Sequence, residues 1–241
     1  MRYLHAGETG LVVELGNEIS PEINNKIKQL IDFFDSRTVL GIIEILPTYR
    51  SLLISYNPRE ISIEKLEKLI EQAFQNSETD ESKGLFREII EIPVLYGGQL
   101  GPDLDFVANH NQLSPEEVVK IHSSEEYLIY MIGFTPGFPY VGGMSERIST
   151  PRLQTPRTKI PAGSVGIAAN QTGIYPVESP GGWQLIGRTP LQLFDYRKEN
   201  PFLLDAGHYL SFKSIDQNEF KKISNEVSNG TYKITRLRKE E

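Results

Sequence analysis

Apolar positions in the first third of the chain recur with two periods. "LVVELG" (residues 11–16) is a short apolar run of the kind a buried strand uses. Ile23, Ile27, Leu30, Ile31 and Phe34 then fall on one helical face. Ser20-Pro21-Glu22 opens that helix with an N-cap, a proline at N1 and an acid in the first turn. "GIIEIL" and "SLLISY" flank "PTYR" and predict two strands joined by a tight connection. A second helix starts near Ser62, with Leu66, Leu69, Ile70 and Ala73 on one face. The order β-α-β-β-α, closed by a further strand, predicts a small ferredoxin-like α/β sandwich.

Residues 75–84, "QNSETDESKG", are polar with no apolar anchor and read as a linker. The chain is therefore expected to divide into domains at 1–84 and 85–241. Beyond the linker, Pro and Gly concentrate and helical periodicity becomes rare. Ser114-Pro115-Glu116-Glu117 signals one helix through a capping box, and a late helix is expected over 216–228. The remaining apolar segments are short: "REIIEIPV", "EYLIYMIG", "SVGIAA", "WQLIGRTP", "YLSF" and "TYKITRL". Short strands with Gly/Pro-rich turns predict a closed barrel or a sandwich.

The net charge of −7 disfavours nucleic acid or an anionic membrane as the main partner, because both require a basic face. The chain has no cysteine, which excludes disulfides, thiolate catalysis and cysteine-ligated zinc. The first residues lack the apolar stretch of a signal peptide, and no run approaches the ~20 apolar residues of a membrane span. A cytoplasmic location is the expectation. His5, His110, His122 and His208 lack metal-site spacing and read as surface or satisfied core residues. Neither a phosphate-binding glycine loop nor a nucleophile elbow is present, so the chain has no standard means of binding ATP alone.

Three segments carry candidate chemistry. "IGFTPGFPYVGGM" (132–144) places Phe134, Phe138 and Tyr140 on a backbone stiffened by Pro136 and Pro139. It reads either as a barrel-end plug or as a rigid aromatic surface for a ligand or partner. "TPRLQTPRTKIPAG" (150–163) clusters Arg152, Arg157 and Lys159 before Gly163 in an otherwise acidic protein, which points to an anion site. "NQTGIYPVESPGGWQLIGRTP" (170–190) offers Gln171, Thr172, Tyr175 and Arg188 around Trp183. Packing in the core is the stronger reading for the tryptophan itself, and a small-molecule pocket for the set. The expectation is that these segments converge on a single hollow.

The blocks "YGGQLGPDLDFVA", "EEYLIYMIGFTPGFPYVGGM", "PRLQTPRTKIPAGSVGIAANQTGIYPVESPGGWQLIGRTPLQLFD" and "PFLLDAG" resemble, in order, the signature of the KipI/PxpB family, the first-subunit allophanate hydrolase type. The resemblance implies an α+β chain, with the small ferredoxin-like domain followed by a cyclophilin-like β-barrel. It implies a subunit of an ATP-dependent 5-oxoprolinase, acting with KipA/PxpC-like and LamB/YcsF (PxpA)-like partners to convert 5-oxo-L-proline into L-glutamate. ATP and Mg²⁺ would then serve the complex without being bound by this chain alone. Related chains inhibit histidine kinase autophosphorylation, and this is the alternative reading. In that case Phe138 and Tyr140 would be docking anchors. Where family members often carry Gly-Asp, this chain has Gly207-His208, which argues against a catalytic role at that position. No catalytic residue is assigned. Substrate contacts are expected from Arg152, Arg157, Lys159 or Arg188 to the carboxylate, and from Gln171, Thr172 or the backbone near Gly163 to the lactam oxygen.

Overall fold

The computed structural model describes residues 1–75 and 86–240. Apart from Gln75, the segment read as a linker lies outside them. The described residues form two compact units, one up to residue 75 and one from Phe86 to Glu240.

The first unit contains β1 (Arg2–His5), β2 (Gly10–Glu14), α1 (Pro21–Asp35), β3 (Ile42–Pro47), β4 (Ser51–Tyr56) and α2 (Ile63–Gln75). Its four strands pair antiparallel in the order β1-β2-β4-β3. β2, β4 and β3 have the ferredoxin-like arrangement. The edge beside β2 is held by the N-terminal strand β1, not by a strand following α2. The sequence pattern does not predict β1; its signal, "RYLH", is a single short alternation whose residues are mostly exposed. Leu52, Ile54 and Tyr56 of β4 are buried with Leu11 and Val13 of β2, against Ile27 and Leu30 of α1 and Leu66 and Ile70 of α2. Ser20 caps α1 by accepting from the Ile23 amide at 3.3 Å.

The second unit begins with β5 (Phe86–Tyr96), α3 (Leu104–His110) and α4 (Pro115–Ser124). β6 (Glu126–Ile132), β7 (Pro139–Gly142), β8 (Arg157–Ile160), β9 (Ser164–Ala168) and β10 (Gln171–Ile174) follow. Then come β11 (Ser179–Gly181), β12 (Gln184–Arg188), β13 (Tyr209–Ser214), α5 (Gln217–Ser228) and β14 (Arg236–Glu240). The main sheet runs β10-β9-β12-β5-β13-β6-β7, with β14 also on β5; β8 and β11 form a separate ribbon. β5 pairs in parallel with β13, and antiparallel with β14 through its first half and with β12 at its end.

The two ends of the sheet approach each other. A Cβ added at Gly173 of β10 would lie 3.2 Å from the Phe138 ring and 3.4 Å from the Pro139 carbonyl. The sheet is thus a nearly closed barrel, and its interior is filled by residues such as Ile92, Val94, Ile129, Val165, Ile167 and Ile186.

α3 docks on β12 through Gly101, where a Cβ would fall 2.1 Å from the Ile186 carbonyl oxygen. Only glycine permits that approach. The sequence pattern does not predict α3 itself, because seven residues are too few to display a helical period. The strand expected at "TYKITRL" is displaced: it runs from Arg236, just after the Thr235 carbonyl accepts from the Glu91 amide at 3.1 Å, while Tyr232 and Ile234 pack against the barrel core. The late helix forms as expected behind an Asp216 N-cap.

Ser114 and Glu117 form the predicted reciprocal box at the start of α4, with bonds of 3.1 and 2.8 Å. Ser114→Ala is expected to cost about 1 kcal/mol. The check is a fall in the thermal midpoint of about 2–4 °C relative to wild type, in a scan that follows the barrel unit.

Candidate functional site

The loop 133–138 is braced by its own backbone. Gly133 N–H donates to the Phe138 carbonyl (3.0 Å) and Phe138 N–H to the Thr135 carbonyl (3.0 Å). Phe138 is the hub of an edge-to-face aromatic group. Its ring centroid lies 5.7 Å from Phe134, 5.2 Å from Tyr140, 5.6 Å from Tyr175 and 5.7 Å from Trp183. The sequence-predicted aromatics therefore do come together. Phe138, Tyr175 and Trp183 are buried, however, and pack with Ile160, Ala168 and Leu185 as a small core of their own. The rings expected to wall a hollow instead fill one. Burial pushes the Tyr175 hydroxyl up to about 12, opposed by a bond from the Trp183 backbone and by the charges of Arg152 and Arg157. Phe134 alone of the five projects outward. It is 66% exposed and held at a φ of +64°, a conformation rarely adopted by a side-chain-bearing residue.

The cations expected to clamp a carboxylate have different fates. Arg157 on β8 donates through Nη2 to Asp103 Oδ1 at 2.7 Å and through Nη1 to the Trp183 carbonyl at 3.3 Å. Asp103 Oδ2 accepts from the Leu185 amide at 2.6 Å. This one pair ties β8, the start of α3 and β12 together. Lys159 faces Glu178 at 3.1 Å, and Arg152 is exposed. Arg188, at the end of β12, donates from Nε to the Ala162 carbonyl at 2.8 Å.

The groups expected to address a lactam oxygen are engaged or distant. Gly163 sits at a φ of +81°, its N–H bonded to the Tyr175 carbonyl at 2.7 Å and its carbonyl to the Thr189 amide at 2.9 Å. The Thr172 hydroxyl donates to the Gly166 carbonyl (3.0 Å) and therefore accepts from His122 Nε2 (2.8 Å). Gln171 pairs with Ala168 at one end of β9, whereas Arg188 pairs with Ser164 at the other. Four residues of strand separate those positions by roughly 13 Å. Among the described residues, Phe138, Arg157, Gln171 and Arg188 do not line one hollow: Gln171 and Arg188 lie at opposite ends of β9, Phe138 is buried among Tyr175 and Trp183, and Arg157 is bonded to Asp103.

Beside Arg188 the structure opens a cleft of about 820 Å³. Its walls include Pro176, Leu191, Phe194, Tyr196 and Phe220. The loop carrying Phe134 adjoins it: a Cβ at Gly137 would lie 3.1 Å from Phe194 Cβ and 3.4 Å from Pro176 Cβ. Asp195 and Arg197 at the rim form a two-bond pair, with Nε to Oδ1 at 2.8 Å and Nη2 to Oδ2 at 2.9 Å. Hydrogen bonding from Arg197 is the main cause that holds the Asp195 carboxyl at about 2. Reading the sequence missed the segment 191–197. The aromatic pair in "FDYR" was its available signal, since Tyr196 is 81% exposed. His208, by contrast, lies at the entry to β13, its carbonyl bonded to the Ile129 amide at 2.9 Å.

The barrel, the block order and the braced aromatic loop define a class. Residues 1–204 match the family described as carboxyltransferase domain, subdomain C and D, and the chain belongs to that family. It is 44% identical over 223 residues to the B-type subunit of 5-oxoprolinase from Bacillus subtilis, covering 89% of this chain and 92% of that protein. It is 42% identical over 211 residues to the same 5-oxoprolinase component of Escherichia coli O157:H7, covering 86% and 92%. Among solved structures, TTHA0988 matches with 35% identity and a TM-score of 0.75 over 86% of this chain. The match covers 40% of the TTHA0988 chain, so this protein corresponds to well under half of it. The KipI/PxpB resemblance carried by the motif blocks is borne out.

Proposed function

We propose that this chain is a subunit of an ATP-dependent 5-oxoprolinase complex, which opens the lactam of 5-oxo-L-proline to give L-glutamate. The observation that carries this reading is the similarity, at 44% and 42% identity over 89% and 86% of this chain, to two proteins named as 5-oxoprolinase subunits. KipA/PxpC-like and LamB/YcsF-like subunits are the proposed partners, and the cytoplasm the proposed location.

The donor set of the cleft fits a small organic anion and does not fit Mg²⁺–ATP. Phosphoryl transfer needs several cations and metal-holding carboxylates converging on the phosphates. Among the described residues the cleft supplies one arginine free of a carboxylate, and its acids, Asp195 and Glu178, are already paired with Arg197 and Lys159. We therefore place the nucleotide on a partner subunit and assign this chain a share in holding the organic substrate. The purified chain is expected to be inactive by itself. Mixing it with both partners, ATP and Mg²⁺ should release phosphate and glutamate from 5-oxoproline. Undiminished turnover when this chain is withheld would defeat the proposal.

A further inference from the structure

Four cations are candidates for the role of carboxylate clamp, and their surroundings separate them. Arg157 has both Nη atoms bonded within the fold, Lys159 faces a carboxylate, and Arg152 is exposed outside the cleft. Arg188 differs in three respects. It lines the cleft of about 820 Å³. Its guanidinium is fixed at Nε by the Ala162 carbonyl, 2.8 Å away. Among the described residues, no hydrogen bond or ion pair reaches its two Nη groups.

Among the described residues, the charges around the cleft leave Arg188 as the one without a carboxylate partner. Arg197 is neutralised by Asp195, and Glu178 by Lys159. A guanidinium tethered at Nε still presents the two-pronged Nη edge that suits a planar carboxylate. Pro176, Leu191 and Phe194 beside it offer apolar surface for a five-membered ring and reduce the screening of the charge.

We infer that Arg188 binds the carboxylate of the lactam substrate within this cleft, with the ring seated against Pro176 and Phe194. The inference rests on the functional reading above and adds to it the residue, the cleft and the recognised group. Arg188 is a binding residue here; the bond-breaking chemistry is not assigned to it.

The full chain, alone and mixed with both partner subunits, is titrated with 5-oxo-L-proline and with 2-pyrrolidinone, the same lactam without its carboxylate. Wild type should bind 5-oxoproline at least ~10-fold more tightly than 2-pyrrolidinone, the scale of one charge-assisted contact. Arg188→Gln should weaken 5-oxoproline binding by roughly 10- to 100-fold and leave 2-pyrrolidinone unchanged. Arg188→Lys, which keeps the charge but loses the fork, should fall between. In turnover, Arg188→Gln should raise KM by a similar factor with kcat little changed, the signature of binding lost equally from ground and transition states. Equal affinity of wild type for the two lactams overturns the inference, as does unchanged 5-oxoproline binding by the glutamine variant with its circular dichroism intact. A complex in which Arg188→Gln turns over with wild-type KM removes Arg188 and keeps the functional reading. A mixture that works equally well without the chain removes the functional reading, while the titration still decides the carboxylate preference.

Discussion

Replacing His122 with alanine is expected to destabilise the barrel unit by about 4 kcal/mol, from the cavity left behind and the hydroxyls orphaned around it. His122 on α4 is fully buried, with its ring centroid 4.3 Å from that of Phe212. Its Nε2–H donates to Thr172, whose hydroxyl in turn donates to the Gly166 carbonyl, so Nδ1 is left to accept from the Tyr96 hydroxyl at 2.8 Å. Each ring nitrogen thus has one assigned role, and the neutral tautomer is built into the packing. Burial lowers the imidazole from its ordinary value to about 3.

The sign of the pH effect follows from that direction. Above pH ~6.5 the ring is neutral in both the folded and unfolded chains, and its contribution is fully present. Below that value the unfolded chain takes up a proton that the folded chain refuses. Stability then falls by up to ~1.4 kcal/mol per pH unit until the pH nears the folded value. Urea unfolding of wild type and His122→Gln, followed from about pH 7.5 down to about pH 4, provides the check. The difference between the two profiles should change steeply below pH ~6.5. A flat difference would mean that the folded chain protonates the ring as readily as the unfolded chain does.

Asp103→Ala is expected to cost about 3 kcal/mol, more than Arg157→Ala, because it strands two donors together. The carboxylate holds the Leu185 amide at 2.6 Å and the Arg157 guanidinium at 2.7 Å, with only 13% of its side chain exposed. Its removal leaves a half-buried charge and an unbonded backbone N–H at the junction of α3 and β12. Asp103→Asn should be milder, since an amide oxygen still accepts from Leu185. Denaturant midpoints of the three variants decide the ranking, and the Asp103/Arg157 double-mutant cycle gives the coupling. If Arg157 instead held a ligand, its alanine variant would keep wild-type stability and lose only substrate affinity.

Reading the sequence succeeded where signals are local. The cap at Ser20, the box at Ser114–Glu117 and the faces of α1 and α2 lie within one or two helical turns of themselves. Strands such as Ser164–Ala168 announce themselves through near-continuous burial. It failed at β1 and α3, each too short to show a period, and at "TYKITRL", whose apolar residues serve core packing more than pairing. The aromatic group was legible as a group, but not as a filled core.

The local chemistry of the chain determined its elements, its two textures and its family, since caps, periods and motif blocks are written in consecutive residues. Only the tertiary structure decided which cation stays available. Arg157, Lys159 and Arg188 carry the same charge in the sequence. Folding brings Asp103, 54 positions away, onto Arg157, and Glu178 onto Lys159. Among the described residues it brings onto the Arg188 guanidinium only the neutral Ala162 carbonyl, 26 positions away. Pairing energies depend on distances through space, and these are set by sheet register and not by order along the chain.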